Sequence, residues 1–177
     1  MTSFINSFFS VATLLSHFLL VFCIIAFVYR KSWGKEIIKF VHQYSLWLGF
    51  GASLVAIIAS LIYSNVIGFE PCTLCWWQRI FIYPQAVLFL VAIIRRDRGV
   101  WNYSLPLTLG VFLVSLYQTY TNLGGTSILP CTAVGGACSK IYVLEFGYIT
   151  IPLMSLTLAV YLLFINLIAK KYEDSNS

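Results

Sequence analysis

The chain has 177 residues, of which 60% are hydrophobic and only 10% charged, with a mean hydropathy of +0.88. That balance excludes an ordinary soluble domain and points to a polytopic membrane protein. The formal net charge of +5 does not mark a nucleic-acid binder, because most of the positive residues fall between apolar runs rather than on one face or strip.

Five apolar runs reach the roughly 20 residues that cross a bilayer as a helix: Phe8–Tyr29, Leu46–Ile67, Trp76–Ile94, Trp101–Leu123 and Tyr148–Ala169. The first lacks a basic n-region and a small-residue cleavage site, so it reads as a retained helix and not a secretory signal. Between the runs, Arg30, Lys31, Lys35 and Lys39, then Arg95, Arg96 and Arg98, then Lys170 and Lys171 occupy alternate connections. The positive-inside rule makes all three cytoplasmic, with the N-terminus outside and the C-terminus inside. Tyr44, Trp47, Trp76, Trp77, Trp101, Tyr103 and Tyr148 fall near the span ends, where an aromatic belt belongs.

In that topology Cys72 and Cys75 lie in the first outer loop and Cys131 and Cys138 in the second, so all four face the oxidising compartment. Cys23 stands alone inside the first span and reads as a small apolar core residue. Two structural disulfides are one reading of the four, but a bond from Cys72 to Cys75 closes a short ring of the readily reduced kind. A four-cysteine zinc site is another, yet Cys131 and Cys138 are separated by six residues, where a zinc ribbon uses two to four. Two redox-active dithiols in series are the third reading, and the local chemistry favours it.

Pro71 suits the first position of a helix, so the third span is expected to begin there, with Cys72 and Cys75 in its first turn. The unpaired N–H groups and partial positive charge of a helix N-terminus favour thiolate over thiol. At about 100° per residue, Cys72, Cys75 and Arg79 lie within roughly 60° of one another, and Tyr83 continues the stripe. Arg79 is the only formally charged residue inside a span, about 6 Å deeper than Cys75 at 1.5 Å rise per residue. Snorkelling would explain how an arginine is tolerated there, but not why it shares a face with two thiols. Beside a thiolate it would hold the charge and could hydrogen-bond a carbonyl oxygen that gains charge on reduction. With no flavin, haem or dinucleotide signature, and with Trp76, Trp77 and Ile80 as walls, the expected acceptor is dissolved in the lipid, and a quinone is such a molecule. Tyr117, Gln118 and Tyr120 either add polar contacts to it or form an ordinary interfacial belt.

The second pair sits in GGTSILPCTAVGGACSK, rich in turn residues and suited to a mobile, exposed disulfide that accepts electrons from a soluble partner. Beyond it, SKIYVLEF reads as a short helix on the outer leaflet or as a plain loop.

The stretch E-P-C-T-L-C-W-W-Q-R-I-F-I-Y-P, followed by L-P-C, A-C-S and F-G-Y-I-T-I-P, resembles the DsbB/BdbC family of membrane disulfide bond formation proteins, with the short second-pair spacing closer to the BdbC type. The resemblance covers residues 44–169 and implies an all-α fold with a four-helix transmembrane bundle there; the N-terminal transmembrane helix and cytoplasmic loop in residues 1–43, read from the apolar runs, lie outside that core, as does a cytoplasmic tail, 170–177. It implies a quinone-linked thiol oxidase of the bacterial plasma membrane, acting on a DsbA-like extracytoplasmic thioredoxin-fold partner, with ubiquinone or menaquinone as cofactor. In that scheme the partner's thiolate attacks Cys131, Cys138 is its loop companion, Cys75 is the thiolate next to the quinone, Arg79 stabilises charge and Cys72 resolves. Trp76 and Tyr117 would complete the quinone site, and no metal is expected. Two competitors are a vitamin K epoxide reductase-like enzyme, whose C-x-x-C follows its loop cysteines instead of preceding them, and a non-enzymatic membrane subunit or transporter stapled by disulfides.

Overall fold

The computed structural model describes residues 2–29, 34–97, 99–126 and 140–174. Among the described residues six helices follow one another: α1 (Thr2–Val28), α2 (Gly34–Gln43), α3 (Ser45–Leu61), α4 (Thr73–Arg95), α5 (Trp101–Asn122) and α6 (Ile151–Asp174). A π-helical turn, Ile62–Val66, extends α3. Cys131 and Cys138, together with Arg30, Lys31 and Arg98, fall outside the described residues.

Four of these helices are long and apolar enough to cross a membrane: Thr2–Val28, Ser45–Val66, Thr73–Arg95 and Ile151–Lys171. The chain is thus a multi-pass helical membrane protein. The fourth of the five expected spans is α5, which at 22 residues has the length but not the hydropathy. Its polarity has a packing reason. Ser104, Thr108, Ser115, Gln118, Thr119 and Thr121 are all buried, and α5 lies between α4 and α6. Where lipid offers no hydrophobic drive between helices, such side chains hold a bundle together. The Gln85 Oε1 of α4 accepts hydroxyls from Thr108 at 3.0 Å and Ser104 at 3.3 Å, while Asn166 Nδ2 of α6 reaches the Thr108 Oγ1 at 3.4 Å.

Residues 30–43 were expected as a loop, but from Gly34 they form α2. Its Ile38 and Val41 are buried while Lys35, Glu36 and Lys39 are exposed, the stripe of a helix lying on a core. Gly34 is required where α2 meets α1, because a Cβ there would stand 1.9 Å from the Ala26 carbonyl oxygen. With Phe89, Ala92, Trp101, Leu162, Ile165 and Ile168, the buried face of α2 makes the main core, at the end of the bundle that carries Arg95, Arg96 and Lys170. Cys72 and Cys75 sit at the opposite end.

At that opposite end the segment after Lys140 forms no helix. Glu145 and Ile149 pair in an isolated antiparallel bridge, closed by Phe146 at φ 53 and Gly147 at φ 77. The apolar residues read as a helical stripe instead face a turn: Val143 and Ile149 are buried, while Ile141, Leu144 and Tyr148 are exposed. Tyr142 stacks on Phe69 with centroids 4.6 Å apart, Phe69 on Tyr63 at 6.0 Å, and Tyr63 lies 5.5 Å from Phe9. This aromatic ladder ties α1, the π turn, the entry to α4 and the turn into one rim.

Candidate functional site

Helix α4 begins at Thr73, two residues later than the proline pattern predicts. Pro71 stands before the cap, and Cys72 is the cap itself, extended at φ −71 and ψ 170. Its Sγ accepts the Cys75 N–H at 3.3 Å, the task a serine or aspartate oxygen performs at most helix starts. The cap draws the two side chains together, and the sulfurs lie 2.8 Å apart. They look different ways. Cys72 is 5% exposed, packed with Leu74 against Val114 and Tyr117. Cys75 lines a cavity.

The second contribution comes from α5. Gln118, 4% exposed, directs its Nε2 to Cys72 Sγ at 3.2 Å and to Cys75 Sγ at 3.5 Å. Its Oε1 accepts the amide of Gln78 at 2.8 Å, which fixes the amide with nitrogen toward sulfur. Both cysteines therefore meet N–H donors, the surroundings that suit sulfur carrying negative charge.

The third contribution is Arg79, one turn beyond Cys75 and on the wall of the same cavity. Its Nε donates to Ser60 Oγ at 2.9 Å and its Nη2 to the Ser60 carbonyl at 3.2 Å. Its Cζ lies 5.1 Å from the Trp76 ring centroid. A guanidinium held by two bonds to α3 and by an indole face is positioned, not trailing toward the surface.

The cavity encloses about 320 Å³ and is walled by α1, α3, α4 and α6, with Gln118 and Asn122 from α5. Its walls are largely apolar, yet four lining residues carry buried polar atoms with no hydrogen-bond partner among the described residues: Tyr63 Oη, Tyr83 Oη, Asn122 Oδ1 and Ser155 Oγ. Native interiors rarely leave such groups unsatisfied, and each asks for a ligand or water. A guanidinium and a thiol on the wall of a largely apolar space could hold a flat ring bearing carbonyl oxygens.

Of the residues singled out in the sequence, Cys72, Cys75 and Arg79 come together here. Trp76 is half exposed and covers Arg79, Tyr117 packs behind Cys72, and neither is among the cavity-lining residues. Tyr120 is exposed. Gln78 and Ser60 escaped sequence reading, and Gln118 was not separated from its aromatic neighbours. A glutamine inside an apolar span, three residues after Cys75, was the available signal.

A family model described as disulfide bond formation protein DsbB matches residues 42–169. A Bacillus cereus protein named "Probable disulfide formation protein C 1" is 37% identical over 120 residues, 65% of this chain and 84% of that one. A Coxiella burnetii "Probable disulfide formation protein" is 37% identical over 122 residues, 68% of this chain and 83% of that one. A namesake from Metapseudomonas resinovorans is 38% identical over 112 residues, 62% and 76%. No solved structure matches.

Proposed function

The chain belongs to the DsbB family of disulfide bond formation proteins, and on that premise we propose that it is a quinone-dependent thiol:disulfide oxidoreductase of the bacterial plasma membrane. Its electron donor would be an extracytoplasmic thioredoxin-fold protein of the DsbA kind. The observation that carries the reading is the shared wall: Cys75, whose sulfur lies 2.8 Å from that of Cys72, faces the same apolar cavity as Arg79.

The chemistry balances as a dithiol–disulfide exchange. A partner dithiol gives up two electrons and two protons to a Cys131–Cys138 disulfide through a mixed disulfide, and the resulting dithiol reduces a Cys72–Cys75 disulfide in the same way. A bound quinone supplies the sink for the two electrons and two protons. Within the chain, Arg79 would hold a carbonyl oxygen of the ring, with Tyr83 and Ser155 as further donors. Gln118 holds the two sulfurs in register for exchange, and the apolar walls exclude water. Lys35, Lys39, Arg95, Arg96, Lys170 and Lys171 would face the cytoplasm, with the cysteines outside.

Thiol trapping in native membranes, with and without quinone, tests the reading. Cys72 and Cys75 are expected oxidised when quinone is present and reduced when it is depleted while the partner is supplied. Four cysteines unmoved by either treatment would instead support a disulfide-stapled structural subunit.

A further inference from the structure

Helix α1 lies outside the residues that the family model matches, yet it builds one wall of the cavity. Phe9, Ala12, Thr13 and Ser16 all line it, at the spacing of a single helical face. Three contacts dock that face on other cavity residues. His17 Nε2 stands 2.9 Å from Thr157 Oγ1, the Tyr161 hydroxyl donates to the Ser16 carbonyl, and the Phe9 and Tyr63 rings lie 5.5 Å apart. Among the described residues, α1 packs along α6 and α2 but not along α3. Without α1 the cavity would lose the wall that these four residues form.

We propose that α1 is part of the acceptor site, supplying the wall against which the quinone ring packs opposite Arg79 and so setting the size of ring admitted. The inference rests on the quinone reading above. Small side chains at Ala12, Thr13 and Ser16 leave room that bulkier ones would remove, and Phe9 bounds the space at the rim. The ring chemistry follows from the other lining residues: Arg79 with its guanidinium and Cys75 with its thiol, beside Tyr83 and Ser155.

The full-length protein in detergent, irradiated with a short-tailed azidoquinone, is expected to carry label on the peptide spanning residues 9–16 as well as on α4. Label on α4 with none on α1 overturns the proposal. Independently, Ala12→Leu and Thr13→Leu are expected to raise KM for the short-tailed quinone about tenfold through lost room in the cavity, with KM for the dithiol partner unchanged. Leu15→Phe, on the exposed face of the same helix, is expected to change neither. Unaltered KM in both cavity variants overturns the α1 assignment while leaving the quinone reading intact. Failure of the unaltered protein to reduce quinone removes both.

Discussion

Gln118 on α5 points its amide nitrogen at the sulfur of Cys72, 3.2 Å away across 46 residues of chain, and Gln78 keeps it there by occupying the amide oxygen. The cysteine pair is thus a two-helix device. Its spacing and one backbone N–H donor come from α4, while the side-chain donor that favours charge on sulfur comes from α5.

Replacing Gln118 by Leu keeps the volume and removes the donor. A hydrogen bond to a charged group is worth about 2 kcal/mol, or roughly thirtyfold in rate if it is made only to the charged sulfur. Gln118→Leu is therefore expected to slow both alkylation of the reduced pair and quinone reduction by about that factor. An unchanged alkylation rate would show that the contact does nothing for the sulfur.

Cys72 has two tasks that substitution can separate. Ser is a good helix cap and Ala a poor one, the difference being about 1 kcal/mol. Cys72→Ser is expected to abolish turnover with thermal stability kept, and Cys72→Ala to abolish turnover and lower the melting temperature as well. Turnover surviving in Cys72→Ser would exclude this cysteine from the electron path.

The part of this site that could be read from the sequence is the part that one helix makes. The stripe of Cys72, Cys75 and Arg79 follows from helical period alone, as does the membrane-spanning fold from the apolar runs. Ser60 of α3 meets Arg79 of α4, and Gln118 of α5 meets Gln78 of α4, and no local pattern encodes which turn of α3 or α5 faces α4. Helix α2 was hidden because its ten residues carry exposed Lys35, Glu36 and Lys39, so that hydropathy alone reads a loop where amphipathic spacing makes a helix. The part α1 plays was out of reach for a further reason: the contact of His17 with Thr157 joins residues 140 positions apart.

Arg79 makes two directed bonds to Ser60, and a lysine has no planar fork with which to repeat them. Arg79→Lys retains the charge, and Arg79→His loses most of it at neutral pH. Both are expected to raise KM for quinone, His more than Lys, by roughly tenfold or more, while KM for the dithiol partner stays constant. Steady-state titration of each substrate decides it; a change confined to the dithiol would place Arg79 in the wrong half-reaction.

The basic residues of α2, of the α4 C-terminus and of the α6 C-terminus gather at the end opposite the cysteines. If that end is cytoplasmic, as the positive-inside rule requires, a fluorescent protein fused after Ser177 will fold in the cytoplasm and glow. A membrane-impermeant maleimide added to intact spheroplasts will label reduced Cys131 or Cys138. A dark fusion together with thiols shielded until the membrane is permeabilised would invert the topology.

Gly49 and Gly51 offer a test of the packing with its own control. A Cβ on Gly49 would stand 2.8 Å from the Phe89 ring. That ring is fully buried and lies 5.6 Å from the Trp101 ring in the main core, so it has no room to retreat. Gly49→Ala is expected to destabilise by about 1–3 kcal/mol, the usual cost of overpacking. Gly51, on the same helix two residues on, has nothing within 4 Å of an added Cβ. Gly51→Ala should therefore gain about 0.5–1 kcal/mol from reduced freedom of the unfolded chain. Thermal unfolding in detergent reads both, and equal shifts would mean that α3 and α4 do not meet at Gly49 as closely as described.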